Sequence, residues 1–373
     1  MTEARSQAAS RHTPVLSQDV IRYLDVREGG TYLDCTLGFA GHASQIARLI
    51  GPAGHLIGFD RDPQALELAS QRLTALAEEL GDRMPRLTLV GEAFSKAAGH
   101  VEPGTLDGLL ADFGVSSMQI DEPERGFSFQ ADGPLDMRQD TRQSLTAAQV
   151  VNEMDERDLA NLIYEYGEER RSRRIARAIV RARPVTTTGQ LARIVAGSAP
   201  AMKSERIHPA TRTFQALRIH VNRELDEIRE LLEAAPGLLR SGPHKSPGGL
   251  HKARIVVISF HSLEDRIAKD VLREVSAKGI WTVLTRKPVI AEEAETDRNP
   301  RARSAKLRAA EMNGPEGAGP KERTEYQDPE DQSPGPVRQL TGFTQLSPTR
   351  LSPKKAGKKQ QAHTPEKNPR PRE

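Results

Sequence analysis

The sequence is poor in cysteine, in aromatics and in long apolar runs, and each shortage excludes something. One cysteine, Cys35, in 373 residues allows neither a disulfide framework nor a cysteine-based zinc cluster. No run of about 18 apolar residues occurs, so no membrane span is expected. The opening segment MTEARSQAASRHTP has no apolar stretch of the secretory kind, and the expected setting is the cytoplasm. Aromatic residues make up 4% and apolar residues 36%, low for a chain that is packed throughout. A one-signed charge is missing too: 54 basic side chains oppose 51 acidic ones, for a net charge of +3. Attraction to nucleic acid would therefore have to come from local clusters. A phosphate-binding glycine loop of the form G-x-G-x-x-G is also absent.

What is there divides by composition. At about 100–200 residues per domain, the length suits two domains or one with a large insertion. Residues 1–11 are small and polar and read as a flexible start. Residues 12–120 and 241–312 alternate short apolar runs with helical patterns, which predicts one α/β domain with a parallel sheet. Residues 121–240 are helix-like and rich in arginine, an insertion into that domain. Residues 313–373 collapse into Pro, Gly, Ser, Lys and Gln, with seven basic against two acidic residues from Leu351 on. Such a segment buries too little apolar surface to offset its ordering entropy, and it reads as a disordered, solvated tail.

Within the first part, strands are expected at residues 31–37, 55–60, 86–91 and 106–112, and helices at 42–50 and from Asp62-Pro63 onward. Leu66, Leu73, Leu76 and Leu80 mark the buried face of the second helix. In the insertion, Phe214, Leu217, Val221, Leu225, Ile228 and Leu232 step by three or four along one helix face. Residues 253–260 read as a buried strand that rejoins the sheet.

Three acids, Asp34, Asp60 and Asp112, fall at expected carboxyl ends of strands, where open α/β sheets bind ligands. The loop Asp34-Cys-Thr-Leu-Gly-Phe-Ala-Gly-His42 leads from strand to helix, and Asp60 follows at the spacing of an acid that accepts from a ribose diol. Three carboxylates would repel a pyrophosphate. They suit a phosphate-free nucleoside with a cationic head, such as S-adenosylmethionine, better than a nicotinamide dinucleotide. His261 follows the strand at 253–260 and is a candidate substrate-side group. Arg170, Arg173, Arg174, Arg177 and Arg181 mostly share one helix face and read as a contact for a nucleic-acid backbone; Arg298 to Arg308 is a second basic run.

These segments taken together resemble the bacterial RsmH/MraW methyltransferases, which modify N4 of a decoding-site cytosine in 16S ribosomal RNA. The matching stretches include His12-Thr-Pro-Val-Leu, the Asp34–His42 loop, Gly58-Phe-Asp-Arg-Asp62 and Asp112-Phe-Gly-Val-Ser-Ser-Met-Gln-Ile-Asp121. Others are Gly133-Pro-Leu-Asp-Met-Arg138, Tyr166-Gly-Glu-Glu-Arg170, the stretch from His208 to Arg218, Ile258-Ser-Phe-His-Ser-Leu-Glu-Asp-Arg266 and the run from Asn299 to Arg308. The resemblance implies a Rossmann-like class I methyltransferase sheet carrying an all-helical, RNA-binding insertion. It implies S-adenosylmethionine as cofactor, 16S rRNA within the small ribosomal subunit as partner, and no membrane; monomer and homodimer stay open. It implies that Ala40, Gly41 and His42 line the methionine side of the cofactor, that Asp60 holds the ribose, that Phe94 lies by the adenine, and that Asp112 and Gln119 complete the site. The family usually has Gly-Gly-His where this chain has Ala40-Gly-His, which is accommodated if the φ of Ala40 is negative. Two rivals remain at this stage: a nicotinamide-dependent oxidoreductase and a non-catalytic ribosome-binding protein.

Overall fold

The computed structural model describes residues 14–200, 207–246 and 249–314. The expected flexible start (1–11) and all of the expected tail except Asn313 and Gly314 lie outside the described residues.

The strands form where β-branched and leucine-rich runs are bounded by turn residues. They are β1 (Thr31–Asp34), β2 (His55–Phe59), β3 (Arg86–Val90) and β4 (Gly108–Asp112), then β5 (His244–Ser246), β6 (Gly249–His251), β7 (Arg254–Ser259), β8 (Trp281–Val283) and β9 (Lys306–Met312). Seven of them make one sheet in the order β3-β2-β1-β4-β7-β9-β8, and β5 and β6 form a separate hairpin. The five neighbours from β3 to β7 pair in parallel. β9 runs antiparallel to both β7 and β8. The expected parallel sheet therefore carries one reversed strand. Apart from that strand this is a doubly wound, Rossmann-like order.

Both faces of the sheet are covered, which is why its strands are apolar on both sides. Leu109, Ala111, Ile255 and Val257 face one core, with α10 (Glu224–Leu238) and α11 (Ser262–Ala277) packed on it. Leu110, Val256 and Ile258 face the other, under α1 (Ser17–Leu24), α2 (Gly41–Ile50) and α3 (Pro63–Leu80). The alternation is the period of two that a strand imposes.

After β4 and the short α4 (Ser117–Asp121) come α5 (Ala147–Glu153), α6 (Glu156–Gly167), α7 (Ser172–Arg181), α8 (Thr188–Ser198) and α9 (Thr211–Asn222). These helices have a third core of their own, running from Phe127 to Val221. The single helix face expected from Phe214 to Leu232 is two helices. Arg223 between them takes a left-handed backbone, φ 51°. Asn222 is held there from a distance: its side chain accepts from the Gln139 N–H at 2.7 Å and donates to the Met137 carbonyl at 2.8 Å. As a result α10, although inside the expected insertion at 121–240, belongs to the sheet's core, and the helical cluster ends near residue 221. A last helix, α12 (Glu293–Arg298), precedes β9.

Candidate active site

The site is built where β1, β2 and β4 stop. Between Asp34 and α2 the chain must reverse in six residues. Gly38 turns it with φ +50°, a backbone that glycine alone adopts freely. Ala40 has φ 55° and ψ 35°, so the condition of a negative φ is not met and the methyl is accommodated in a left-handed backbone. The turn demands this geometry: the Ala40 N–H reaches back to the Leu37 carbonyl at 2.6 Å, and the Ala40 carbonyl accepts from the Ser44 N–H at 2.9 Å to start α2. A left-handed non-glycine residue costs about 1–2 kcal/mol, partly offset by burial of one methyl at roughly 0.8 kcal/mol. Gly41 comes next because the Pro14 ring lies 3.2 Å from where its Cβ would be.

Asp60 ties β2 to this loop. Its Oδ2 accepts from the Gly38 N–H at 2.8 Å and its Oδ1 from the Asp62 N–H at 2.9 Å, and each oxygen keeps a further acceptor position. Burial pushes its carboxyl up to about 6, against those two N–H groups. A cavity of about 330 Å³ opens beside it, within the ~300–1,000 Å³ of small-molecule sites. Gly41, His42, Asp60, Phe94, Asp112 and Gln119, six of the residues that the resemblance implies, all line this one cavity. Ala40 does not; fully buried, it shapes the turn behind the wall. Asp34 is absent from the wall too. It is 1% exposed and accepts from the Thr36 N–H at 3.1 Å, and burial pushes its carboxyl up to about 7, the Thr36 bond opposing and the charge of Asp60 adding. The expected trio of acids at the opening is thus a pair above a buried third.

Asp112 is the acid left open. Its Oδ2 lies 3.8 Å from His42 Nε2, and its buried Oδ1 has no hydrogen-bond partner among the described residues. Burial, then the charges of Asp34 and Glu264, hold its carboxyl well above the usual range. A group that donates protons or carries positive charge would relieve it. Phe94 and Phe113, with ring centroids 6.0 Å apart, give the cavity an aromatic wall. Gln119 is held at both ends: Nε2 donates to Asp62 Oδ2 at 2.8 Å, and Oε1 accepts from the Ser116 N–H at 3.0 Å. Asp62 in turn caps α3 through the Gln64 N–H and pairs with Arg125 at 2.8 Å.

His261 does not line the cavity; its neighbour Phe260 does. The histidine is the N-cap of α11, with Nε2 facing Glu264 Oε1 at 3.1 Å. Glu264 Oε2 accepts from the Phe260 N–H at 2.7 Å. The strand-to-helix turn employs both side chains, which accounts for the pair without a substrate.

The sequence alone assigns no role to Arg218, Gln139 or Ser304, which line the cavity together with Arg301 of the second basic run. Arg218 lies between Glu224, at 2.8 Å, and Glu264, at 3.9 Å. Its signal was an arginine adjoining the apolar face of α9, beside Leu217. Of the second basic run, Arg308 is 6% exposed, on β9 and bound to Asp265 at 2.7 Å, so it serves the fold. The first run differs. α7 buries Ser172, Ile175, Ala176 and Ile179, while Arg170, Arg173, Arg174, Arg177 and Arg181 are all exposed. Of the nearby acids, Glu169 pairs with Arg171 at 2.9 Å and Glu168 with Arg266 at 3.2 Å, while Glu156 meets Arg177 at 3.4 Å.

Among the described residues no helix is long and apolar enough to cross a membrane. A family model described as the MraW methylase family matches residues 9–313. A protein of Acidobacterium capsulatum named ribosomal RNA small subunit methyltransferase H is 70% identical over 298 residues, 80% of this chain and 97% of the relative. Its namesake in Koribacter versatilis is 54% identical over 299 residues, 80% of this chain and 92% of that protein.

Proposed function

The chain belongs to the MraW methylase family, and from that premise we propose that it transfers a methyl group from S-adenosylmethionine to N4 of a cytosine in the decoding site of 16S ribosomal RNA, within the small ribosomal subunit in the cytoplasm. The relatives' names support the RNA class. The observation that carries the cofactor reading is the unpartnered, buried Oδ1 of Asp112 on a cavity that Asp60 also lines. Two carboxylates suit a ribose diol and a cationic or amino group, and they disfavour a dinucleotide's phosphates.

In this reading Asp60 accepts from the ribose hydroxyls, Phe94 lies by the adenine, Gly41 and His42 flank the methionine end with Ala40 behind them, and Asp112 and Gln119 close the site. S-adenosylmethionine supplies an electrophilic methyl on a sulfonium that is already a good leaving group. The residues' task is then alignment and exclusion of water, which supplies several kcal/mol of a barrier when the reacting atoms are held in line. Cytosine N4 is a weak nucleophile because its lone pair is delocalised into the ring. An acceptor on its amino protons enriches it and takes the proton shed as the N4–methyl bond forms and the sulfur–methyl bond breaks; Asp112 Oδ1, with two acceptor positions, keeps one for this when the other faces the cofactor. His261, engaged by Glu264, is a positioning group and not the base. The target base must leave its stack, at a cost of a few kcal/mol, and the exposed arginines of α7 hold the surrounding RNA.

The test is an equilibrium titration of the full chain with S-adenosylmethionine and with NAD. S-adenosylmethionine should saturate one site and NAD should not. Asp60→Ala should weaken the binding about 10- to 100-fold, the worth of hydrogen bonds to a charged acceptor. Equal binding of NAD, or an unaltered affinity in the variant, would overturn the reading.

A further inference from the structure

At the other end of the sheet a second set of chemistry-bearing side chains converges. Asp107 directly precedes β4, so it is about 16 Å from Asp112 at roughly 3.3 Å per strand residue. The β5–β6 hairpin lies over it. His244 and His251 are cross-strand partners in that hairpin, with ring centroids 4.0 Å apart. His244 Nε2 is 2.6 Å and His251 Nε2 is 3.9 Å from the same Asp107 Oδ1. One donor atom from each residue lies within 4.8 Å of the other two. His251 is 7% exposed, Asp107 5%, and neither ring nitrogen of His251 has a hydrogen-bond partner among the described residues. A buried imidazole with both nitrogens unsatisfied is costly, and cross-strand packing alone does not call for it.

We propose that Asp107, His244 and His251 bind a divalent transition-metal ion, Zn²⁺ above all. Two imidazoles and one carboxylate are donors of the right softness, whereas Mg²⁺ and Ca²⁺ take oxygen ligands. Tetrahedral arms of about 2.0–2.1 Å put ligand atoms about 3.3 Å apart, so one contact opens and the other closes by well under 1 Å. Groups that orient the ligands are in place. The Thr31 N–H donates to Asp107 Oδ2 at 2.7 Å, and His244 Nδ1 lies 3.4 Å from the Gly242 carbonyl. Arg240 also donates to Asp107 Oδ1, at 3.0 Å, but its side chain is 40% exposed and can turn to solvent. A second trio, Glu224, His261 and Glu264, has similar spacing. There the half-buried Arg218 between the two glutamates already supplies the cation, and no metal is required. The ion's work is structural. A two-stranded hairpin is marginal in water, and the metal pins this one to the sheet.

The test uses the untagged full chain, stripped with a chelator and titrated with Zn²⁺, with Co²⁺ as a spectroscopic probe. One ion per chain should bind, Co²⁺ should give a tetrahedral absorption spectrum, and His244→Ala or His251→Ala should each weaken binding by about 100-fold or more. His261→Ala should bind as the parent does. In the parent protein, Zn²⁺ should slow amide exchange at residues 244–251, a readout independent of how the variants fold. Absence of stoichiometric binding, equal binding by His251→Ala, or unchanged exchange in the hairpin would each overturn the proposal.

Discussion

At the scale of single residues, Ala40 and Asp34 test the account of the loop. The left-handed backbone of Ala40 is worth about 1–2 kcal/mol of strain, and its buried methyl returns roughly 0.8. Ala40→Gly should therefore unfold within about 1 kcal/mol of the parent, on the stable side. Ala40→Val, β-branched in the same backbone, should lower the melting temperature by several degrees. Calorimetry of the pair checks both. Asp34 is a pH test. Its folded carboxyl titrates at about 7 against an ordinary 3.8, so the folded state binds the proton more tightly. Asp34 thus adds stability that is present below about pH 4 and lost as pH rises to about 7, on the order of 4 kcal/mol at most. Asp34→Asn, which keeps the acceptor for Thr36, should gain on the parent across that window and hold a constant lead above it. A difference that is flat from pH 4 to 7 would contradict the burial argument. The positions of these acids were legible because a strand's end shows in the pattern. Which of the three faces the cavity was not, since that depends on side-chain direction in a loop. The φ of Ala40 was equally invisible, because its letter argues against the backbone it adopts.

At the scale of elements, α7 carries the prediction. Its apolar face packs in the helical cluster and its arginines face outward. Arg173→Glu, Arg174→Glu and Arg177→Glu combined should leave the melting temperature nearly unchanged, because exposed ion pairs such as Arg177–Glu156, at 3.4 Å, are worth 0–1 kcal/mol. The same variant should cut methylation of small ribosomal subunits. It should also flatten the salt dependence of binding by about 0.7–0.9 for each phosphate that is no longer neutralised. Unchanged methylation would remove α7 from the RNA interface. The helices and parallel strands were readable from their periods, whereas β9 was not. Its Lys306, Arg308 and Glu311 look like surface residues, and it takes the long-range pairing of Arg308 and Lys306 with Asp265 and of Glu311 with Arg254 to seat them in the sheet. The break between α9 and α10 was hidden for a similar reason. The apolar period runs through it, and the partners that fix Asn222 come from residues 137 and 139.

At the scale of the molecule, the sheet holds a two-carboxylate cavity at the carboxyl ends of its parallel strands, and a helical cluster presents arginines to solvent. Strand ends and basic helices are common separately. Their combination in one chain is what the proposed pairing of a sulfonium cofactor with an RNA substrate rests on, and the ordered motifs from residue 12 to about 311 made that combination legible. The most direct test is mass mapping of small-subunit RNA after incubating unmodified subunits with the full chain and isotope-labelled S-adenosylmethionine. The account predicts one labelled methyl group, on the exocyclic N4 of a single decoding-site cytosine, and none with Asp112→Ala. Label on another base or on a ring atom, or no label at all, would contradict it.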